Sequence, residues 1–258
     1  MILKYHTCFN IPMRKPMIYQ YDRDKEQDRL VDIRDVCQKS NLYEFHNEDG
    51  SIVESLRNNI ENTFSLYEFQ WDIVINKIID HRVLEDKDVA FIYYLFATQI
   101  LRTPSVQSMG VDLTKTFLKD YEKNFTDVQI SNLIKIESLP VSLQKDEQII
   151  LDFFLTVLAK KGIHVCRSNE ILAINGDNPV VFYPDARYDF PDCALPITSH
   201  ICLRLSEHKK KTRDIDMTPK ETAAFNYRNI CMSGGRFIYS SVPYNEIIIE
   251  HPCKNKAE

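Results

Sequence analysis

From Ile52 to Leu101 the chain contains neither glycine nor proline. Glycine loosens the backbone and proline removes a hydrogen-bond donor, so both interrupt helices. A stretch this long without either is a place for helices. Ile52, Leu56, Ile60, Phe64, Tyr67, Trp71, Val74 and Ile78 recur every three or four positions, which predicts one long helix over residues 51–80. A second helix is expected over 85–102. Its centre, Val89 to Ala97, is apolar almost all round, the pattern of a helix inside a core. Pro104 stops it, because proline disfavours helix in the residue before it. Further helices are expected over 112–121 and 146–160. The latter carries Ile149, Phe153, Phe154, Val157 and Leu158 on one side, with Gly162 as its stop.

Strand signals lie on either side of this helical stretch. Met17 to Asp22 alternates and is rich in aromatic residues, and Asp22 to Asp28 is a polar turn. Leu30 to Val36 alternates again, as a paired strand or a short helix, so an N-terminal hairpin is expected. After Gly162, β-type runs occur at 163–167, 171–174, 179–183 and 197–205. Residues 185–195 read as an irregular loop. Thr218-Pro-Lys-Glu221 has capping-box spacing with proline at the first helical position, which opens a helix to about Met232. Gly234-Gly235 ends it, and residues 236–240 form a last strand. Helices and strands are segregated, so the expected class is α+β in a single domain over 1–258: N-terminal hairpin, helical part at 51–161, then a mostly antiparallel sheet at 162–241 with one late helix.

The net charge is −5 and the pI about 5.8, which argues against coating nucleic acid, a role that needs many uncompensated cations. A local basic groove on an acidic body stays open. The seven cysteines are scattered, with no C-x-x-C pair, so they read as small buried hydrophobes in a reducing compartment. The N-terminus lacks a long apolar segment, and no run is apolar enough to span a bilayer. The expected setting is cytoplasmic, with no membrane partner.

Phosphate-loop, dinucleotide-binding, nucleophile-elbow and zincin motifs are all missing, and only six glycines occur. Two pairs stand out instead. Gln99 and Arg102 lie three apart on one helix and share a face, and arginine's planar fork grips phosphate or carboxylate. The other reading of Arg102 is a helix C-terminal cation. Asp177-Asn178 sits in Asn175-Gly-Asp-Asn-Pro179 after a strand, where a carboxylate and an amide can orient water or hold a divalent metal. The same residues also fit a plain turn. Glu54, Glu61 and Glu68 recur at seven-residue spacing, either as metal ligands or, more simply, as a solvated face. Lys209 to Arg213 is a basic run that reads as a solvated loop. Asn226, Arg228 and Arg236 are polar groups on the last helix and strand.

Taken in order, several pieces resemble the bacterial domain-of-unknown-function family 4238. They are Ile18-Tyr-Gln-Tyr-Asp22, Asn41-Leu-Tyr43, Ile60-Glu61 with Glu68, and Gln99-Ile-Leu-Arg-Thr-Pro104. Gly176-Asp-Asn-Pro-Val180, Leu195-Pro-Ile-Thr198, Asn226 and Arg236-Phe-Ile-Tyr239 follow. The Gln-x-x-Arg-Thr-Pro and Asp-Asn-Pro pieces are the most specific. The chain departs from the family at its start: the leading histidine of the family's His-Tyr-x-Pro-like segment has no counterpart, and His6 is out of register. The resemblance implies which residues matter and carries no activity.

The expected function is a hydrolase acting on nucleic acid or a nucleotide. In it Gln99, Arg102, Asp177 and Asn178 are catalytic, Arg102, Asn226 and Arg236 bind substrate, and Asp177 holds Mg or Mn. Toxins and phage-defence effectors are settings for such an enzyme. The alternative is a non-enzymatic interaction module whose polar residues form a buried structural network.

Overall fold

Helix dominates the glycine- and proline-free stretch in the computed structural model of the protein, which describes residues 16–36, 43–118, 125–139, 148–176, 178–183, 191–206, 212–232 and 236–249. The chain divides into two compact units, Lys39–Ala159 and Met1–Gln38 with Lys160–Glu258.

The first unit is helical. α1 (Asn59–Ile79) starts eight residues later than its apolar spacing predicts. Polar side chains and a β-bridge capture the preceding backbone instead. Ile52 bridges His46, Asp49 accepts from both the N–H and the hydroxyl of Ser51, and the Glu44 carboxylate accepts from the N–H of Asn58. Such local bonds compete with the helical ladder. Asn58 itself is left-handed, with φ of 57°, and helix follows it directly. Ile60, Phe64, Trp71, Ile75 and Ile78 are buried along one side of α1, as the periodicity requires.

α2 (Asp86–Leu101) opens with a capping box between Glu85 and Asp88 and buries Ile92, Leu95, Phe96, Ile100 and Leu101. Pro104 stops α2 and also opens α3 (Pro104–Leu118). A first-turn N–H has no intrahelical partner, so proline costs nothing there. This is why α3 begins well before the expected residue 112. α4 (Asp127–Ser138) has no counterpart in the sequence reading. Its capping box, Thr126 with Gln129, is the signal that marks it. α5 (Ile149–Leu158) completes the unit.

The second unit holds two sheets. β1 (Met17–Asp22), β2 (Gln27–Asp32), β4 (Ile174–Asn175) and β9 (Phe237–Ser240) form an antiparallel sheet in the order β2-β1-β9-β4. The N-terminal hairpin is therefore present, and a short 3-10 turn, Ile33–Asp35, follows β2. β3 (Gly162–Ser168), β5 (Val181–Tyr183), β6 (Asp192–Pro196), β7 (Ile201–Ser206) and β8 (Arg213–Met217) form the other sheet in the order β5-β6-β7-β3-β8. All of its pairs are antiparallel except β3 with β8.

β6 lies in what the sequence presents as an irregular loop. Its small apolar residues, Cys193 and Ala194, give little strand signal, yet they are fully buried beside Leu195. β8 is exposed except at Met217, and its alternation is limited to Ile215 and Met217, too short a run to reveal it. α6 (Pro219–Tyr227) starts at the expected capping box, and a single π turn, Arg228–Met232, follows it. The fold is thus α+β, with the helices in the middle and an antiparallel-rich sheet and late helix at the C-terminal side. Cys166, Cys193 and Cys202 are buried free thiols, as read, whereas Cys231 is exposed. Among the described residues no helix is long and apolar enough to cross a membrane.

Candidate functional site

Gln99 and Arg102 lie at the C-terminal end of α2, in the helical unit. Gln99 is buried, and its carboxamide makes no hydrogen bond among the described residues. Arg102 caps the helix. Its guanidinium carbon lies 6.0 Å from the centroid of the Tyr43 ring and 5.5 Å from that of Phe64. The Tyr43 hydroxyl donates to the Arg102 carbonyl at 3.2 Å, so one aromatic neighbour is tied to the helix end itself. Among the described residues no carboxylate pairs with this half-buried guanidinium. Tyr43 and Arg102 belong to two of the sequence pieces that carry the family resemblance, and they meet here.

Three more of those pieces meet in the strand-rich unit. Gln20 on β1 stands opposite Tyr239 on β9 and donates to its hydroxyl at 2.8 Å. Arg29 on β2, opposite Gln20, donates through Nε to the side-chain Oε1 of Gln20 at 2.5 Å. Arg236 grips Asp22 through Nε at 3.1 Å and Nη2 at 2.8 Å, and reaches Asp24 at 3.2 Å. The Arg236 hydrogen bond outweighs burial and holds the Asp22 carboxyl below the ordinary aspartate range. Gly176, just after β4, donates its N–H to the Phe237 carbonyl at 3.0 Å, directly against the Tyr239 ring.

Asn226 is fully buried on α6. Its amide donates to the carbonyls of Ile171 at 2.8 Å and Ile248 at 3.1 Å, and its oxygen accepts from Ala173 N–H at 3.0 Å. Asn229 donates to the Ala173 carbonyl. The two asparagines therefore pin Ile171 and Ala173, the stretch that leads into β4. Asn226 acts here as an anchor for that stretch, and Arg236 as the partner of Asp22. Asn178 is half-buried, and Asp177, the residue proposed to hold a metal, lies outside the described residues. Gln20, Asp22, Gly176 and Tyr239 were visible in the sequence only as parts of the family pieces. Their chemistry depends on the pairing of β9 with β1 and with β4, which lie far from it in sequence.

Glu54, Glu61 and Glu68 do not form one helical stripe. Glu54 precedes α1 in a short 3-10 turn and pairs with Arg57. Glu61 is exposed in the first turn of α1, and the Glu68 side chain lies outside the described residues. Among the described residues no group of three histidine, cysteine, aspartate or glutamate side chains could hold a metal ion. The Lys209–Lys211 part of the basic run lies outside them too, while Arg213 opens β8.

A family model described as "Protein of unknown function (DUF4238)" matches residues 7–242. No curated protein and no solved structure matches the chain.

Proposed function

The chain belongs to the DUF4238 family, and we propose that it acts as a hydrolase on a phosphate-bearing substrate, a nucleic acid or a nucleotide, whose phosphate Arg102 and Gln99 grip. The observation that carries this reading is the Arg102 guanidinium itself, on a half-buried residue beside the contacting rings of Tyr43 and Phe64, with no carboxylate partner among the described residues. Withdrawing a cation from water without a counter-ion is costly, and a bound anion offsets that cost. Flanking rings orient a guanidinium while leaving its edge donors available, the arrangement that suits a phosphate fork. Gln99, one turn back, adds an uncommitted amide donor. Asp177 and Asn178 carry the hydrolytic assignment by their residue types, a carboxylate and an amide able to position water or a magnesium or manganese ion.

The test is binding and turnover of labelled DNA and RNA oligonucleotides and nucleoside triphosphates by the full chain, with and without magnesium or manganese. Arg102→Ala should weaken binding by about tenfold or more, the scale of a lost charge-assisted hydrogen bond. Asp177→Ala should abolish turnover, and any growth arrest on expression, while leaving binding in place. Wild-type affinity in Arg102→Ala sinks the phosphate assignment, and full activity in Asp177→Ala sinks the hydrolytic one.

A second reading draws on the strand-rich unit. Gln20, Asp22, Asn226, Arg236 and Tyr239 spend their polar groups on one another or on the backbone. Such saturation is what a structural network in an interaction module requires. A stoichiometric protein partner, with no turnover across the substrate panel, would favour it.

A further inference from the structure

The strand-rich unit gathers two arginines on one tyrosine. Arg204 on β7 places its guanidinium carbon 4.9 Å from the centroid of the Tyr183 ring, and Arg228 places its own at 5.0 Å. Tyr183 ends β5, and Arg228 is the first residue of the π turn after α6. Isolated π turns inside or after α-helices are found often at functional sites. Here the turn brings a cation to a ring that already carries one.

Arg204 has two carboxylates within electrostatic reach, Asp192 and Glu221, so the uncompensated cation among the described residues is Arg228. Arg204 reaches Asp192 at 3.3 Å, but that carboxylate is shared with Lys161, also at 3.3 Å. Arg228 has no carboxylate among the described residues. Its neighbour's Nε is buried without a hydrogen-bond partner. The Tyr183 hydroxyl likewise makes no hydrogen bond among the described residues. Two like charges near one ring repel each other, and the ring faces alone offset only part of that cost. The donors open to a ligand are the Arg228 fork and the Tyr183 hydroxyl, three N–H or O–H groups from two elements, and Arg204 adds its charge from a third. That number suits the several oxygens of a phosphate better than the two of a carboxylate.

We infer that Arg204, Arg228 and Tyr183 form an anion site that takes a phosphate group, separate from the Arg102 pair and independent of any reaction assigned to it. Arg228 supplies the bidentate grip, the Tyr183 ring orients both guanidinium planes, and its hydroxyl donates to a third oxygen.

The experiment is calorimetric titration of the full chain with inorganic pyrophosphate in metal-free buffer, with acetate as the carboxylate control. It is carried out on the wild type, Arg228→Ala, Arg228→Lys, Tyr183→Phe and Arg102→Ala. Arg228→Ala should weaken pyrophosphate by about tenfold or more, with Arg228→Lys between it and the wild type. Tyr183→Phe keeps the ring and the fold and should cost about threefold, the scale of one neutral donor. Acetate should not compete. No binding by the wild type, equal competition by acetate, or affinity that falls in Arg102→Ala but not in Arg228→Ala each overturns the inference. So does a lowered melting temperature in Arg228→Ala with unchanged affinity, which would make Arg228 structural.

Discussion

Gly176 lies so close against Tyr239 that a Cβ at position 176 would overlap ring carbon Cε2. The ring cannot retreat easily, because Tyr239 is buried on β9 and its hydroxyl is held by Gln20. Gly176→Ala should therefore destabilise the protein by about 1–3 kcal/mol, the usual cost of overpacking. The same substitution should cost much less in a Tyr239→Ala background. Denaturant titrations of both singles and the double variant measure this, and additive costs would show that the contact is not the cause.

Fully buried Asn226 makes three hydrogen bonds to backbone groups, one of them the N–H of buried Ala173. Asn226→Ala should cost about 3 kcal/mol, because the carbonyls and the N–H it serves are left unpaired. Asn226→Asp keeps the shape but replaces the donating amide with a carboxylate facing two carbonyl oxygens, so it should be at least as damaging. Amide exchange at Ala173 should accelerate in both variants. Protection there at the wild-type level would refute the anchoring role.

Lys77 donates to Asp88 at 2.7 Å, and the Asp88 side chain is almost fully buried. Burial alone would raise the Asp88 pKa, but Lys77 and the Glu85 N–H outweigh it and hold it below the ordinary value. Asp22 is lowered in the same direction by Arg236. A carboxyl lowered in the folded state binds protons more readily when unfolded, so its contribution is complete above the unfolded pKa, about 3.9, and fades as pH falls through the folded value. Stability should hold from neutral pH down to about 5 and then drop through and below about 4. Asp88→Asn should be less stable at pH 7 and should show a shallower acid decline. A steeper decline in that variant would contradict the assignment.

Trp71, the single tryptophan, is buried on α1 with its indole N–H unpaired. Trp71→Phe loses contact area but also removes a donor that is buried without a partner, so its net cost should stay within about 1–2 kcal/mol. Trp71→Ala leaves a cavity and should cost about 3–5 kcal/mol. Thermal or urea unfolding distinguishes the two, and equal losses would show that the unpaired N–H has no energetic weight.

The resemblance pieces show how far linear reading reaches. Gln99 and Arg102 share a face because they lie on one helix, so spacing alone places them together. The ring of Phe64 beside Arg102 was hidden, since Phe64 reads only as one more member of an apolar stripe. Arg204 gave no signal and Arg228 stood out only as a polar group on the last helix, because nothing local distinguishes an arginine that stacks on a distant tyrosine from one that faces water.

The sequence by itself determined the class and the broad order of hairpin, helices, then sheet with a late helix. Local forces decide these: apolar period, the capping box at Thr218, the hairpin turn and the helix stop at Pro104. Only the tertiary structure decided where α1 begins, that Cys193 and Ala194 lie in a buried strand, and that Asp22 meets Arg236 and Gly176 meets Tyr239. Each of these depends on partners far away in the chain, because strand pairing and side-chain saturation act through space and leave no periodic trace in the linear order.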